Sequence, residues 1–236
     1  MKVLITGSTQ GIGKAMAEAF VRRGDEVIVH CSRDLEKAER VANEIGAAGA
    51  VTADLSDLSE TVALYGKTGA VDCLILNASV QQKECWEDID DESFAWQINV
   101  NLRSTLKLMQ LYYPAMKAAG FGRIVTIGSV NQYRQHPELG MYAATKCAVL
   151  SLVKNVAKFA APYGVTVNNV APGAIETPRN ADVTADPAMK AAVEAQIPMG
   201  RFGLPQDCVG AVLMLCSEAG AYITGTDMII DGGMRL

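Results

Sequence analysis

Histidines, paired cysteines and long apolar runs are all scarce in this 236-residue chain. Each shortage closes a class of function. Only two histidines occur, His30 and His136, and they do not stand at metal-ligand spacing. No metal site is therefore expected. The six cysteines, at 31, 73, 85, 147, 208 and 216, include no CxxC pair. Most sit among apolar neighbours, the pattern of reduced, buried thiols in a cytoplasmic protein and not of a disulfide framework. No apolar run approaches the roughly 20 residues that span a bilayer. The opening "MKVLITGS" turns to glycine too soon for a signal peptide, so a cytoplasmic protein without a membrane is expected. Basic residues form no stripe and the net charge is −5, which argues against nucleic acid as a partner. Linkers, repeats and low-complexity segments are missing too.

What the chain does have is alternation. Half of its residues are apolar and a fifth are charged, as in a soluble globular protein. Short β-branched runs at 2–6, 26–31, 49–54, 71–77, 122–128, 164–171 and 226–231 read as strands. Between them lie helical patterns, notably 14–24, 35–46, 92–119, 141–161 and 205–219. Strands apolar at consecutive positions and separated by helices imply a parallel sheet buried on both faces. The expected fold is α/β: one domain over 1–236, a doubly wound Rossmann-type sheet of about seven strands with helices on both faces. The least regular stretch, about 176–204, is the candidate substrate lid.

"TGSTQGIG" (6–13) follows the first strand and opens the first helix. Glycines here permit a tight turn and close backbone approach to a pyrophosphate at the helix N-terminus. A glycine turn alone only closes a turn; its strand–turn–helix setting makes it a candidate nucleotide loop. Downstream, Tyr142 and Lys146 are four apart and share one helix face. Ser129 sits just past the carboxyl end of a strand, the edge where open α/β sheets bind ligands. Hydride transfer between ketone and alcohol needs a proton donor beside the oxygen, a hydrogen bond to fix that oxygen, and a positioned nicotinamide. A free phenol is a poor base at pH 7, and a nearby ammonium favours its ionised form.

The spelling TGxxxGIG followed by YxxxK resembles the short-chain dehydrogenase/reductase superfamily, in its short single-domain branch, over nearly the whole chain. Further stretches are similar in order: Asp54-Leu55, Asn77-Ala78-Ser79, Asn101 in "NVNLRS", the NxxxPG of Asn168–Gly173, Thr177, and the runs "IPMGRFGLPQD" and "ITGTDMIIDGG". The resemblance implies a catalytic set of Asn101, Ser129, Tyr142 and Lys146. Tyr142 would be the general acid/base and Ser129 would orient the substrate oxygen. Lys146 would hold the nicotinamide ribose and support the tyrosine, and Asn101 would hold a water in a proton relay. The implied cofactor set is Gly7, Ser8, Thr9, Gln10, Gly11, Ile12, Gly13, Ser32, Arg33, Asp54, Leu55, Asn77, Ala78, Ser79, Tyr142, Lys146, Pro172, Gly173, Ile175 and Thr177. Ser79 departs from the family's usual glycine and Leu76 from its usual asparagine.

An acid at the end of the second strand would select NAD by bonding the ribose 2′-OH. Cys31 and Ser32 stand there instead. Arg33, next, can pair with a phosphate, so NADP is preferred over NAD. Asp34 could reverse that preference if the strand ends later. The substrate cleft is expected to draw on Gln81, Gln82 and Trp86, then Asn131, Gln132 and His136, then Glu176 and residues 178–200. Its polarity points to a sugar, polyol or hydroxy acid, although loops are polar by default. A 3-oxoacyl thioester reductase is the alternative within the family. A non-enzymatic NAD(P)-binding redox sensor, and a sugar-nucleotide epimerase or dehydratase, are the rivals outside it. The helices at 92–119 and 141–161 are apolar beyond one stripe and need cover. By resemblance, that cover is a homodimer or homotetramer interface.

Overall fold

The β-branched runs form seven strands, all parallel, in the order β3-β2-β1-β4-β5-β6-β7. The computed structural model describes residues 1–236. The strands are β1 (Lys2–Ile5), β2 (Glu26–Cys31), β3 (Gly49–Thr52), β4 (Cys73–Leu76), β5 (Gly122–Ile127), β6 (Val165–Pro172) and β7 (Asp227–Ile230). The helices are α1 (Gly11–Arg22), α2 (Leu35–Ile45), α3 (Leu58–Thr68), α4 (Asp91–Gln97), α5 (Ser104–Ala119), α6 (Gly140–Ala160), α7 (Ala181–Ala185), α8 (Pro187–Glu194) and α9 (Val209–Leu215).

Side-chain alternation along each strand sorts the core into two layers. Leu4, Leu74, Ile124 and Val167 pack toward Leu108 and Tyr112 of α5 and Val149 and Val153 of α6. Val3, Ile5, Ile75 and Val125 point the other way, onto Met16 and Phe20 of α1 and Val212 and Leu215 of α9. This two-sided burial explains why the strands read as unbroken apolar runs. Sheet order reverses between β1 and β4, and the crevice at such a switch point is where these sheets bind ligands.

Three findings refine the sequence reading. The pattern over 92–119 is not one helix: α4 and α5 are joined by a π-helical turn over Ile98–Arg103, a feature that often marks functional sites. The cysteines are half buried rather than mostly so. Cys73, Cys208 and Cys216 are buried, Cys31 is intermediate, and Cys85 and Cys147 are exposed; all six are free thiols. The irregular stretch at 176–204 holds two short helices, α7 and α8. No helix is long and apolar enough to cross a membrane.

Candidate active site

The loop after β1 is built around a buried histidine. Gly7 donates its N–H to Nδ1 of His30 at 3.0 Å, so Nε2 carries the ring proton and donates it to the carbonyl of Ala53 at 3.1 Å. Ser8, fully buried, donates its hydroxyl to Ile5 at 2.7 Å and accepts the N–H of His30 at 3.0 Å. One imidazole thus joins the glycine loop to β2 and to the end of β3. Burial drives its pKa down from 6.5 to about 4, with the Ala53 bond opposing the shift. The neutral ring is therefore the folded form. The unfolded chain binds the extra proton between pH 6.5 and 4, so stability falls as pH drops through that window. The loss from this group is about 3 kcal/mol. A His30→Gln variant, which does not titrate, is expected to lose correspondingly less stability between pH 7 and 4 in denaturant unfolding. Equal losses in both proteins would refute the assignment.

The N-terminus of α1 has no side-chain cap and no acid in its first turn. Gln10, at the cap position, instead accepts a hydrogen bond from Lys37 Nζ at 2.9 Å. Uncapped N–H groups at a helix N-terminus suit an anion. Gly13 lies directly behind the loop: a Cβ there would stand 2.3 Å from the Gly7 carbonyl oxygen and 2.6 Å from Asn77 Nδ2. That nitrogen donates to the carbonyls of Thr6 and Gly7, at 2.9 and 3.0 Å, which ties β4 to the loop.

In front of these groups opens a cavity of about 620 Å³. Most of the expected cofactor set lines it: Gly7, Thr9, Gln10, Gly11 and Ile12 from the loop; Ser32, Arg33, Asp54 and Leu55 at one end; Asn77, Ala78, Ser79, Tyr142, Pro172, Gly173, Ile175 and Thr177 toward the other. Ser8, Gly13 and Lys146 do not reach its wall; Ser8 and Gly13 shape the loop from behind.

At the Arg33 end, β2 closes at Cys31. Asp34 is the N-cap of α2 and accepts the N–H of Lys37 at 2.8 Å, so its carboxylate serves the helix. Arg33 donates to Asp54 through Nε at 2.8 Å and Nη2 at 2.5 Å. Burial works against the Asp54 charge, but the Ser56 hydroxyl and amide together with Arg33 outweigh it and hold the carboxyl below its ordinary range. Lys37 also lines this end.

At the other end, Tyr142 is 4% exposed and lines the cavity, as does Ser129 at 8%. Ser129 follows β5. Its N–H donates to Gln132 Oε1 at 2.8 Å, and its Oγ accepts the N–H of Asn131 at 3.2 Å. Gln132 in turn donates to Asp227 at 3.2 Å, which also accepts from Asn169 at 2.7 Å. Thus Gln132, expected in the substrate cleft, faces inward and braces Ser129 against β6 and β7. Lys146, one turn after Tyr142, is buried and donates through Nζ to the carbonyl of Ile127 at 2.8 Å. Burial first, then the charge of Arg179, pushes its pKa down to about 7. Asn101 is buried within the π-helical turn. It accepts the N–H of Val80 at 2.8 Å and donates to the carbonyl of Val80 at 2.9 Å and the hydroxyl of Thr145 at 3.1 Å. Its side chain is fully committed to joining the β4 loop to α6.

Of the other expected substrate residues, Gln81, Asn131 and His136 line the cavity, whereas Gln82, Trp86 and Glu176 do not. Glu176 pairs with Lys190 at 2.7 Å. Sequence reasoning missed His30 and Lys37, and expected Arg179 only as one position of the 178–200 stretch. Arg179 reaches across the cavity to donate to the carbonyl and hydroxyl of Ser79, at 2.7 and 2.9 Å, and to the Tyr142 hydroxyl at 3.4 Å.

Known proteins resemble this chain along its whole length. A family model described as enoyl-(acyl carrier protein) reductase matches residues 7–235. A 3β-hydroxysteroid dehydrogenase of Eggerthella lenta is 36% identical over 245 residues, covering 99% of this chain and 93% of the relative. A 3-oxoacyl-(acyl-carrier-protein) reductase of Agrobacterium tumefaciens, crystallised with NADP, is 36% identical with a TM-score of 0.92, covering 98% of this chain and 93% of the other. A gluconate 5-dehydrogenase of Burkholderia cenocepacia, in complex with NADP and tartrate, is 30% identical with a TM-score of 0.92, covering 99% and 94%.

Proposed function

The chain belongs to the short-chain dehydrogenase/reductase superfamily of NAD(P)-dependent oxidoreductases that act on CH–OH and ketone groups, and from that premise we propose that it exchanges a hydride between NADP(H) and a small polar ketone or secondary alcohol. The observation that carries this reading is one continuous cavity with an uncapped helix N-terminus in its wall, paired cations at one end and Tyr142 with Ser129 at the other.

The residues present fit a dinucleotide. The amides opening α1 would hold the pyrophosphate, on a loop that Gly13 lets pack closely against Gly7, Ser8 and Asn77. Arg33 and Lys37 would hold a ribose 2′-phosphate, and Asp54 and Leu55 would flank the adenine. Thr177 and Ile175 would border the nicotinamide. When bound, the cofactor supplies or takes up the hydride. The rest is done by the chain itself. Ser129, its amide fixed by Gln132, donates a hydrogen bond to the substrate oxygen. Tyr142 gives that oxygen a proton in reduction and removes one in oxidation. Lys146, held by the Ile127 carbonyl with its Nζ 5.6 Å from the centre of the Tyr142 ring, favours the ionised phenol in its protonated form. Asn101 positions the tyrosine helix; with its side chain occupied by Val80 and Thr145, only its backbone could hold a relay water.

NADP is favoured over NAD because Cys31 and Ser32, where β2 ends, carry no carboxylate, Asp34 caps α2, and the Asp54 carboxylate at this end is paired with Arg33. Arg33→Ala is expected to weaken NADPH binding about 10–100-fold, the worth of a hydrogen bond to a charged group, and to leave NADH binding nearly unaltered. Fluorescence titration of both cofactors checks it; equal losses for both would show that Arg33 does not read the 2′-phosphate.

The segment at 176–204 acts as a lid, tied to the β4 loop by Arg179–Ser79 and by Lys83–Asp182, 2.5 Å apart. Surface aromatics Phe159 and Tyr163, beside Tyr113, support a homodimer or homotetramer through α5 and α6. A cytoplasmic location completes the reading.

A further inference from the structure

Arg179 has no acidic partner. The other cation at the catalytic end of the cavity wall, Lys83, is matched by Asp182. Arg179 instead donates only to neutral oxygens, those of Ser79 and Tyr142. The one carboxylate lining the whole cavity is Asp54, held by Arg33 at the far end. The catalytic end is therefore walled by a guanidinium and contains no counter-charge.

We propose that Arg179 binds a carboxylate of the substrate, so that the enzyme acts on oxo acids and the corresponding hydroxy acids whose carboxylate lies one or two carbons from the reacting carbonyl. This inference rests on the hydride-transfer reading above. The spacing comes from geometry. Arg179 Nη1 stands 3.4 Å from the Tyr142 oxygen. A charge-assisted bond to each donor is about 2.7–2.9 Å long. Two substrate oxygens served by neighbouring donors must then be close neighbours themselves, as in a 2-oxo or 3-oxo acid. A planar guanidinium also matches a carboxylate through two parallel N–H groups.

Ser79 belongs to the same device. Its hydroxyl and carbonyl hold Nη2 and so aim the guanidinium at the tyrosine; glycine there would supply only the carbonyl. Lys146 adds to the local positive charge, and Arg179 already works against its protonation. A bound carboxylate would offset both cations. A cofactor phosphate is the other anion that Arg179 could meet, because Gly11 at the start of α1 faces Thr177 and Pro178; the uncapped amides of α1 are the better-equipped phosphate site, and the NADPH Kd of the Arg179 variants separates the two.

The test compares kcat/KM for 2-oxo and 3-oxo acids with that for their methyl esters, in the unaltered enzyme and in Arg179→Gln and Arg179→Lys. NADPH Kd is measured on each protein. Arg179→Gln is expected to lower the acid-to-ester ratio about 10–100-fold, mainly through KM. Arg179→Lys should recover part of it, and NADPH Kd should shift by less than about threefold. An unchanged ratio in Arg179→Gln overturns the inference, and so does a variant whose main defect is a raised NADPH Kd. In both cases the esters still consume NADPH and the hydride-transfer reading stands. If the unaltered enzyme reduces neither acids nor esters nor any other ketone, that reading falls and this inference falls with it.

Discussion

Tyr142→Phe is expected to lower kcat about 10²–10⁴-fold, the usual contribution of a positioned general acid or base, while NADPH still binds. The expectation follows from where the hydroxyl sits. It projects from α6 into the cavity, one helical turn before Lys146, and its only hydrogen-bonding neighbour within the chain is Arg179 at 3.4 Å. Removing that oxygen leaves no other buried group without its partner, so the fold should be kept. The ring stays, and with it the packing of α6. What is lost is the proton: the oxygen that becomes an alkoxide during reduction keeps the Ser129 hydrogen bond but has no acid beside it to protonate it. Initial rates and cofactor titration on one purified sample separate the two effects. A near wild-type rate would remove Tyr142 from the chemistry.

Gly13→Ala is the second large effect. The added methyl carbon would lie 2.3 Å from the Gly7 carbonyl oxygen, 2.6 Å from Asn77 Nδ2 and 2.9 Å from Ser8 Cα. Two of these are backbone atoms, and the third is fixed by bonds to Thr6 and Gly7. None can step aside as a flexible side chain would. Overpacking of this kind costs about 1–3 kcal/mol, and here the strain falls on the loop that would carry the pyrophosphate. NADPH Kd is expected to rise at least about tenfold, equivalent to 1.4 kcal/mol, with a lower Tm. An unaltered Kd would mean that the cofactor does not depend on the shape of this loop.

Much of the fold was legible in the sequence because a parallel sheet buried on both faces writes itself as apolar runs between helices. All seven strands fall on the expected runs, with ends shifted by a residue or two. The glycine loop was legible because Gly7 and Gly11 have positive φ and a side chain at Gly13 would clash. Ser129, Tyr142 and Lys146 were legible because one strand end and one helix turn bring them to the same edge. The π-helical turn at 98–103 was not, since its residues keep helical periodicity on both sides. Lys37 was not, and Arg179 was only one position of the expected 178–200 stretch, because each reads locally as a solvated charge; only the folded chain brings Lys37 beside Gln10 and Arg179 beside Ser79. His30 lies within an apolar strand, and nothing local shows that its ring meets the Gly7 amide of the loop after β1. Asp34 was the ambiguous residue, and its role as the α2 cap removed the argument for NAD.

The central claim is hydride transfer with proton donation from Tyr142. Its most direct test uses NADPH carrying deuterium at the transferring position, incubated with the oxo acids and esters above, with the alcohol product analysed by mass spectrometry and NMR. The account predicts one deuterium on the carbinol carbon, in amount equal to the NADPH consumed, and almost none with Tyr142→Phe. Cofactor that binds but passes no deuterium to any of these ketones, or an undiminished yield from Tyr142→Phe, would contradict it.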